Sequence, residues 1–365
     1  MAARYSFLGI RVERRLTYSK TAAVATTIIA IALAFAATAV IFAVMSLDVY
    51  DAFAVLAGVF VTPRLLLQAV LRGLPITLSA LGLSIAFRMN FWNIGAEGQI
   101  YMGMFAATGI VLAHVYYGFL PASLVLPIMF IASFLTGGAW CLLPAALKAK
   151  LNVNEILTTL MMNYIAILFV AYLIYGPWRD PKGYGFPLSI PFPEYAKLLF
   201  IAGNPSYTGL LLALVFAALV YVLFRYTKLG FELRVVGENL DAARYAGMAI
   251  PRIITLGAFL SGGLAGIGGL SIVSGIIGRL RPGASPGYGY TAIIVAFLAA
   301  LNPWLIVPAG IFFGGLLTAG EALQASLNIP NAAVQIFQSI IFLFIILGEF
   351  LKRYRIVVGG GGVRG

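Results

Sequence analysis

The sequence predicts an all-α membrane protein, and three observations predict it. Of its 365 residues 62% are hydrophobic, and the mean hydropathy is +1.00. Only 10% are charged, where a soluble domain carries roughly 25%. Apolar runs long enough to cross roughly 30 Å of hydrocarbon recur along the chain. Such a composition cannot cover itself with a water-compatible surface, so the length fits one polytopic bundle rather than several soluble domains.

The first run, 21–47, has no charged residue and is longer than the apolar core of a secretory signal, so it is expected to stay as a first helix. Further spans are expected at about 72–88, 98–119, 121–147, 155–176, 207–226, 252–276, 288–301, 304–323 and 332–351, which makes ten transmembrane helices. This defines a short N-terminal segment 1–20, a membrane domain 21–351 and a C-terminal tail 352–365. Lysine and arginine set the orientation. Placing both termini in the cytoplasm leaves only Arg64, Arg72, Arg179, Lys182, Lys197, Arg279 and Arg281 of the 24 basic residues outside.

Two connections are longer than the rest. The outer one, 177–206, is rich in proline and aromatics and suits a structured loop with little regular helix. The inner one, 227–249, is the most polar stretch in the chain. Within it Asn239 or Asp241 can cap a helix through "AARYAGM", Gly247 can end it, and Pro251 can open the next span.

Helices 2–5 and 7–10 can be laid over one another as a weak inverted repeat, with breaks at "RMNFWNIGAEGQ" (88–99) and "RLRPGASPGYGY" (279–290). Inverted repeats with broken helices at matching places are a signature of transporters. The other explanation is that any ten-helix protein has polar turns somewhere.

Several chemistries are excluded or disfavoured. One cysteine, Cys141, and one histidine, His114, permit neither an internal disulfide nor a His/Cys metal cluster. The net charge of +12 is scattered among short loops, which argues against nucleic acid as a partner. No phosphate-binding G-x-x-x-x-G-K-[ST] loop occurs. Glu97, Glu155, Glu321 and Glu349 fall at or near the ends of predicted spans, so no buried acid suggests coupling to an ion gradient. The "GYG" within "PGYGYTA" lacks the four-chain setting of a potassium filter.

"RVVGENLDAARYAGM" resembles the coupling segment of permeases in the ribose/branched-chain amino-acid class of ABC importers. "FWNIGAEGQIYMGMFAA" and "LNVNEILTTLMMNYIA" are similar to stretches of its nucleoside and simple-sugar subgroup. The resemblance implies a permease subunit without its own ATPase site, importing nucleosides or, alternatively, a simple sugar. It implies ATP and Mg on a partner ATP-binding subunit, an extracytoplasmic solute-binding protein, and a second permease chain, identical or different. It also implies a cell-membrane location. Carried over by position, contact with the ATPase falls on Gly237, Glu238, Asn239, Ala242, Ala243 and Gly247; Glu238 could instead pair locally with Arg234.

The turn "FWNIGAEGQI" has two readings. Irregular backbone at membrane depth must be satisfied by protein or water, and Asn93, Glu97 and Gln99 can do that. Alternatively, polar side chains line the solute path, with Asn90, Asn93, Glu97, Gln99, Asn163, Tyr288, Glu321 and Gln324 as candidates. Tyr290 is a further ring on which a base could stack.

Overall fold

A computed structural model describes residues 5–7, 10–14, 20–44, 48–199, 201, 203–327 and 329–358. The strands are β1 (Tyr5–Phe7), β2 (Ile10–Arg14) and β3 (Tyr354–Val358). The helices are α1 (Lys20–Val44), α2 (Val49–Val61), α3 (Pro63–Arg88), α4 (Ala96–Tyr117), α5 (Ala122–Leu151), α6 (Glu155–Tyr175) and α7 (Pro205–Tyr226). There follow α8 (Lys228–Glu238), α9 (Leu240–Tyr245), α10 (Ile250–Ser271), α11 (Tyr288–Leu298), α12 (Pro303–Leu327) and α13 (Asn331–Arg353). Among the described residues seven helices are long and apolar enough to cross a membrane: α3 to α7, α10 with its π-helical extension Ile272–Ile277, and α12. The stretches Ala32–Val44, Val49–Val61, Tyr288–Leu298 and Ala333–Gly348 are apolar but shorter.

The chain divides into two units. The first is 1–59 with 319–365. In it α1 packs along α13, and Phe42 bridges Phe53 and Phe337, each with ring centroids 5.9 Å away. The all-α expectation has one exception, at the terminal segments: β1, β2 and β3 form an antiparallel sheet with Val12 opposite Ile356. "IRVER" alternates apolar and charged residues and "YRIVV" is rich in β-branched ones, both patterns that suit strands.

The second unit, 60–318, carries the candidate site. Its centre is α10, packed against α5, α3 and α4. Close approach is built on glycine: a Cβ on Gly266 would overlap the Ser133 carbonyl, and one on Gly103 the backbone of Gly266. Small residues of this kind let helix backbones meet where lipid supplies no hydrophobic driving force. α3 starts earlier than the sequence suggests, because Arg64 and Arg72 interrupt its hydropathy without breaking the helix. Pro63 provides the pre-set φ of a first-turn proline.

The proline-rich loop is structured as expected, with one 3₁₀ turn at Glu194–Ala196. It is stitched onto the chain after α10. Ser189 N–H donates to Leu280 O at 3.0 Å, Phe192 N–H to Gly278 O at 2.8 Å and Leu198 N–H to Ser274 O at 3.2 Å.

Candidate functional site

The chain between α3 and α4 turns inside the protein. Met89 ends α3, Asn90 takes a left-handed φ of 54°, and α4 restarts after Gly95. This leaves backbone polar groups without helical partners, and side chains supply them. Asn93 Oδ1 accepts from Gly95 N–H at 3.0 Å and from Gln99 Nε2 at 2.9 Å. Asn93 Nδ2 in return donates to Gln99 Oε1 and to Ser261 Oγ of α10, both at 3.1 Å. From α6, Thr159 Oγ1 accepts the Ile94 N–H at 3.1 Å. One turn on, Asn163 accepts the Gly98 N–H at 2.7 Å and donates to Ile94 O at 2.9 Å.

Two contacts join this turn to the second break. Glu97, in the first turn of α4, is only 2% exposed. Its carboxylate accepts the Gly289 N–H at 2.7 Å, with the Ser285 hydroxyl and the Gly287 amide also against it. A carboxylate at the start of α11 matches the amide groups and positive dipole end of that helix. Gly289 is required there, since a Cβ would overlap the Glu97 amide nitrogen. Beside it, Asn163 Nδ2 donates to the Tyr290 hydroxyl at 3.2 Å.

The polar candidates of the first half therefore converge. Asn93, Glu97, Gln99 and Asn163 are all buried, and their polar atoms are largely engaged by one another and by backbone, which favours the structural of the two readings. Tyr288 is buried at 3% exposure, whereas Tyr290 is 37% exposed. Glu321 and Gln324 belong to the first unit and are exposed there. α12 runs on to Leu327, so Glu321 lies within the helix rather than at its end; the side chain of Glu349 lies outside the described residues. Glu155 starts α6 as expected but is buried as well, and pairs with Lys148 at 2.9 Å. Glu97 corrects the expectation drawn from helix ends: its end of α4 is inside the protein, so the acid is buried.

The sequence did not point to Thr159, Ser261 or Ser285. A signal existed for Thr159, which lies four residues before Asn163 and so on the same helix face. None existed for Ser261 and Ser285, whose partners are remote in the chain.

The polar inner segment forms α8 and α9. Asn239 caps α9, its Oδ1 accepting from Asp241 and Ala242 N–H, both at 3.0 Å. Gly247 adopts φ 70° after the helix, and Pro251 lies in the first turn of α10. Glu238, Asn239, Ala242 and Gly247 are exposed, and Tyr245 is almost wholly so. Ala243 is fully buried, so its side chain faces the protein rather than outward. The ion pairs formed are Arg244–Asp241 at 2.9 Å and Lys228–Glu232 at 3.5 Å, rather than Glu238–Arg234.

This segment is fastened to the α3–α4 turn. Gly237 packs where a Cβ would overlap the Arg88 carbonyl, and Asn90 Nδ2 donates to Gly237 O. Beside the contact lies a cleft of about 610 Å³, bordered by Asn90, Lys148, Asn152, Gly237, Glu238 and Arg244.

Comparison with known proteins gives these elements a context. A glucose ABC transporter permease protein of Haloferax volcanii is 33% identical, with 95% of this chain and 93% of that protein aligned. A guanosine ABC transporter permease protein of Bacillus subtilis is 32% identical over 87% of this chain and 91% of its own length. A nucleoside ABC transporter permease protein of Lactococcus lactis is 28% identical, covering 74% of this chain and 76% of the relative. The family profile described as branched-chain amino acid transport system / permease component matches residues 65–346. With that profile spanning most of the chain, and with relatives aligned along most of their length, the protein belongs to this family of multi-pass membrane permeases.

Proposed function

We propose that this chain is the membrane subunit of an ATP-driven importer for nucleosides. The observation that carries the reading is the fastening of α8–α9 to the α3–α4 turn through Asn90 and Gly237. It gives an exposed helix a mechanical hold on a break inside the bundle. The chain crosses the membrane ten times with both termini in the cytoplasm, and its two broken regions are counterparts in an inverted repeat. An ATP-binding subunit, with ATP and Mg, docks on Glu238, Asn239, Ala242 and the backbone at Gly237 and Gly247; buried Ala243 supports that surface from beneath. A second permease chain and an external solute-binding protein complete the machine.

ATP binding closes the ATPases and draws the coupling segments together. Asn90 passes that movement to residues 90–97, and the Glu97–Gly289 contact passes it to the second break, where the solute path lies. The guanosine and nucleoside permeases among the relatives support nucleosides as cargo. The glucose permease supports a sugar as the second reading.

The test is uptake of labelled guanosine and glucose into proteoliposomes holding this chain with its ATPase and binding protein, ATP inside and ion gradients collapsed. We expect ATP-dependent guanosine uptake, reduced at least tenfold by Glu238→Arg with the permease still folded. Uptake driven by an ion gradient without ATPase overturns the reading. Glucose uptake without guanosine uptake keeps the machine and changes the cargo.

A further inference from the structure

Resting on the importer reading, we infer that Tyr164 and Tyr290 form an aromatic, hydroxyl-bearing wall of the solute path and bind a ring-shaped polyhydroxylated solute. Tyr164 is 55% exposed and Tyr290 37% exposed. They come from α6 and α11, and Asn163, the residue before Tyr164, donates to the Tyr290 hydroxyl at 3.2 Å.

Their depth makes that exposure significant. Tyr164 is the tenth residue of α6, which at 1.5 Å per residue puts it about 14 Å from the helix start. In a hydrocarbon layer of roughly 30 Å that is near the middle. Tyrosines that face lipid belong at the two interfaces, where the hydroxyl meets water and headgroups. At mid-depth a lipid-facing hydroxyl would lack a partner, and an unpartnered polar group in an apolar medium costs several kcal/mol. Tyr172 and Tyr175, near the far end of the same helix, fit the interface explanation; Tyr164 does not.

Tyr290 stands at the third position of α11, straight after an irregular stretch opened by Gly278, Gly283 and Gly287 at positive φ. Irregular backbone at membrane depth is tolerated where it lines protein or a water-filled cavity. The Tyr290 side chain is also positioned. Asn163 donates to its hydroxyl, and Glu97 holds the backbone of the preceding residue. A fixed, partly exposed tyrosine ring can stack on a base or on the apolar face of a sugar ring while its hydroxyl bonds a ring hydroxyl. Nucleosides and sugars share that chemistry, and Tyr288, being buried, does not offer it.

The experiment uses the complete importer in proteoliposomes. The native thiol, Cys141, is buried and is replaced by serine, and single cysteines are introduced as Tyr164→Cys and Tyr290→Cys. A charged, water-soluble thiosulfonate is expected to label both, and guanosine or glucose, supplied in separate arms, to slow labelling at least threefold. In parallel, Tyr164→Ala is expected to raise the uptake KM about tenfold with little change in maximal rate, and Tyr164→Phe to recover most of the loss. The inference is overturned if Tyr164→Cys reacts only with a membrane-soluble maleimide, which would make it a lipid-facing residue. A disulfide between two Tyr164→Cys copies, marking a seam between permeases, overturns it as well, as does labelling that neither solute slows. Failure of the importer reading is read separately, from ATP-dependent uptake by the unmodified chain.

Discussion

The two broken regions solve the same problem with different materials. Between α3 and α4 the break is short, and side chains close it: Asn93, Thr159 and Asn163 take up the freed backbone groups, and Gln99 braces Asn93. Between α10 and α11 it is longer, with glycines at positive φ and a proline-rich loop that supplies mostly backbone partners. The difference teaches that breaks in helical chain can be closed by unlike means. A role filled by amide side chains at one break is filled by glycine and a remote loop at the other, so the two need not look alike in sequence.

That comparison can be broken at the place where the two regions meet. Gly289→Leu should have the largest effect, because its Cβ would overlap the Glu97 amide nitrogen and backbone cannot move aside cheaply. We expect little folded permease in detergent, read by size-exclusion profile, and more than tenfold loss of uptake in what remains.

Asn163→Ala tests the side-chain-keyed break. It orphans the Gly98 N–H and the Ile94 carbonyl, and leaving buried polar groups unsatisfied costs about 1–3 kcal/mol each. A clearly lowered Tm in a thermal-shift assay is the expected outcome. Ser189→Ala tests the loop-stitched break and should do least. It removes the bond from Leu280 N–H to Ser189 Oγ at 2.9 Å and the local one from the Ser189 hydroxyl to Ile190 O at 3.1 Å, while the backbone bond between Ser189 and Leu280 survives. A cost of about 1 kcal/mol is expected, and a Tm drop equal to that of Asn163→Ala would show that the two breaks are held alike.

Much of the fold is legible because a membrane demands long uninterrupted apolar segments. Each of the ten expected spans overlaps a helix, but among the described residues only seven helices are long and apolar enough to cross a membrane. α2 went unread because Val49–Val61 is too short to cross, and the start of α3 because its arginines look like a boundary. At the site, polarity made Asn93, Glu97, Gln99 and Asn163 conspicuous in apolar surroundings. Their partners were not legible, since Ser261 lies on α10 and Gly289 at α11, and no local pattern registers a contact so remote. Burial of Ala243 was equally hidden: in a helix of six residues no periodicity tells one face from another. Nothing in the sequence sets Tyr164 apart from the other aromatics of the spans.

The first unit is assembled from the two ends of the chain, α1 against α13 and β2 against β3. During synthesis α1 leaves the ribosome long before α13 exists, a delay on the order of tens of seconds at ordinary translation rates. Residues 60–318 are contiguous and can complete their contacts in that interval. The N-terminal helix must wait without its partner, so the last helix to be made also finishes the first.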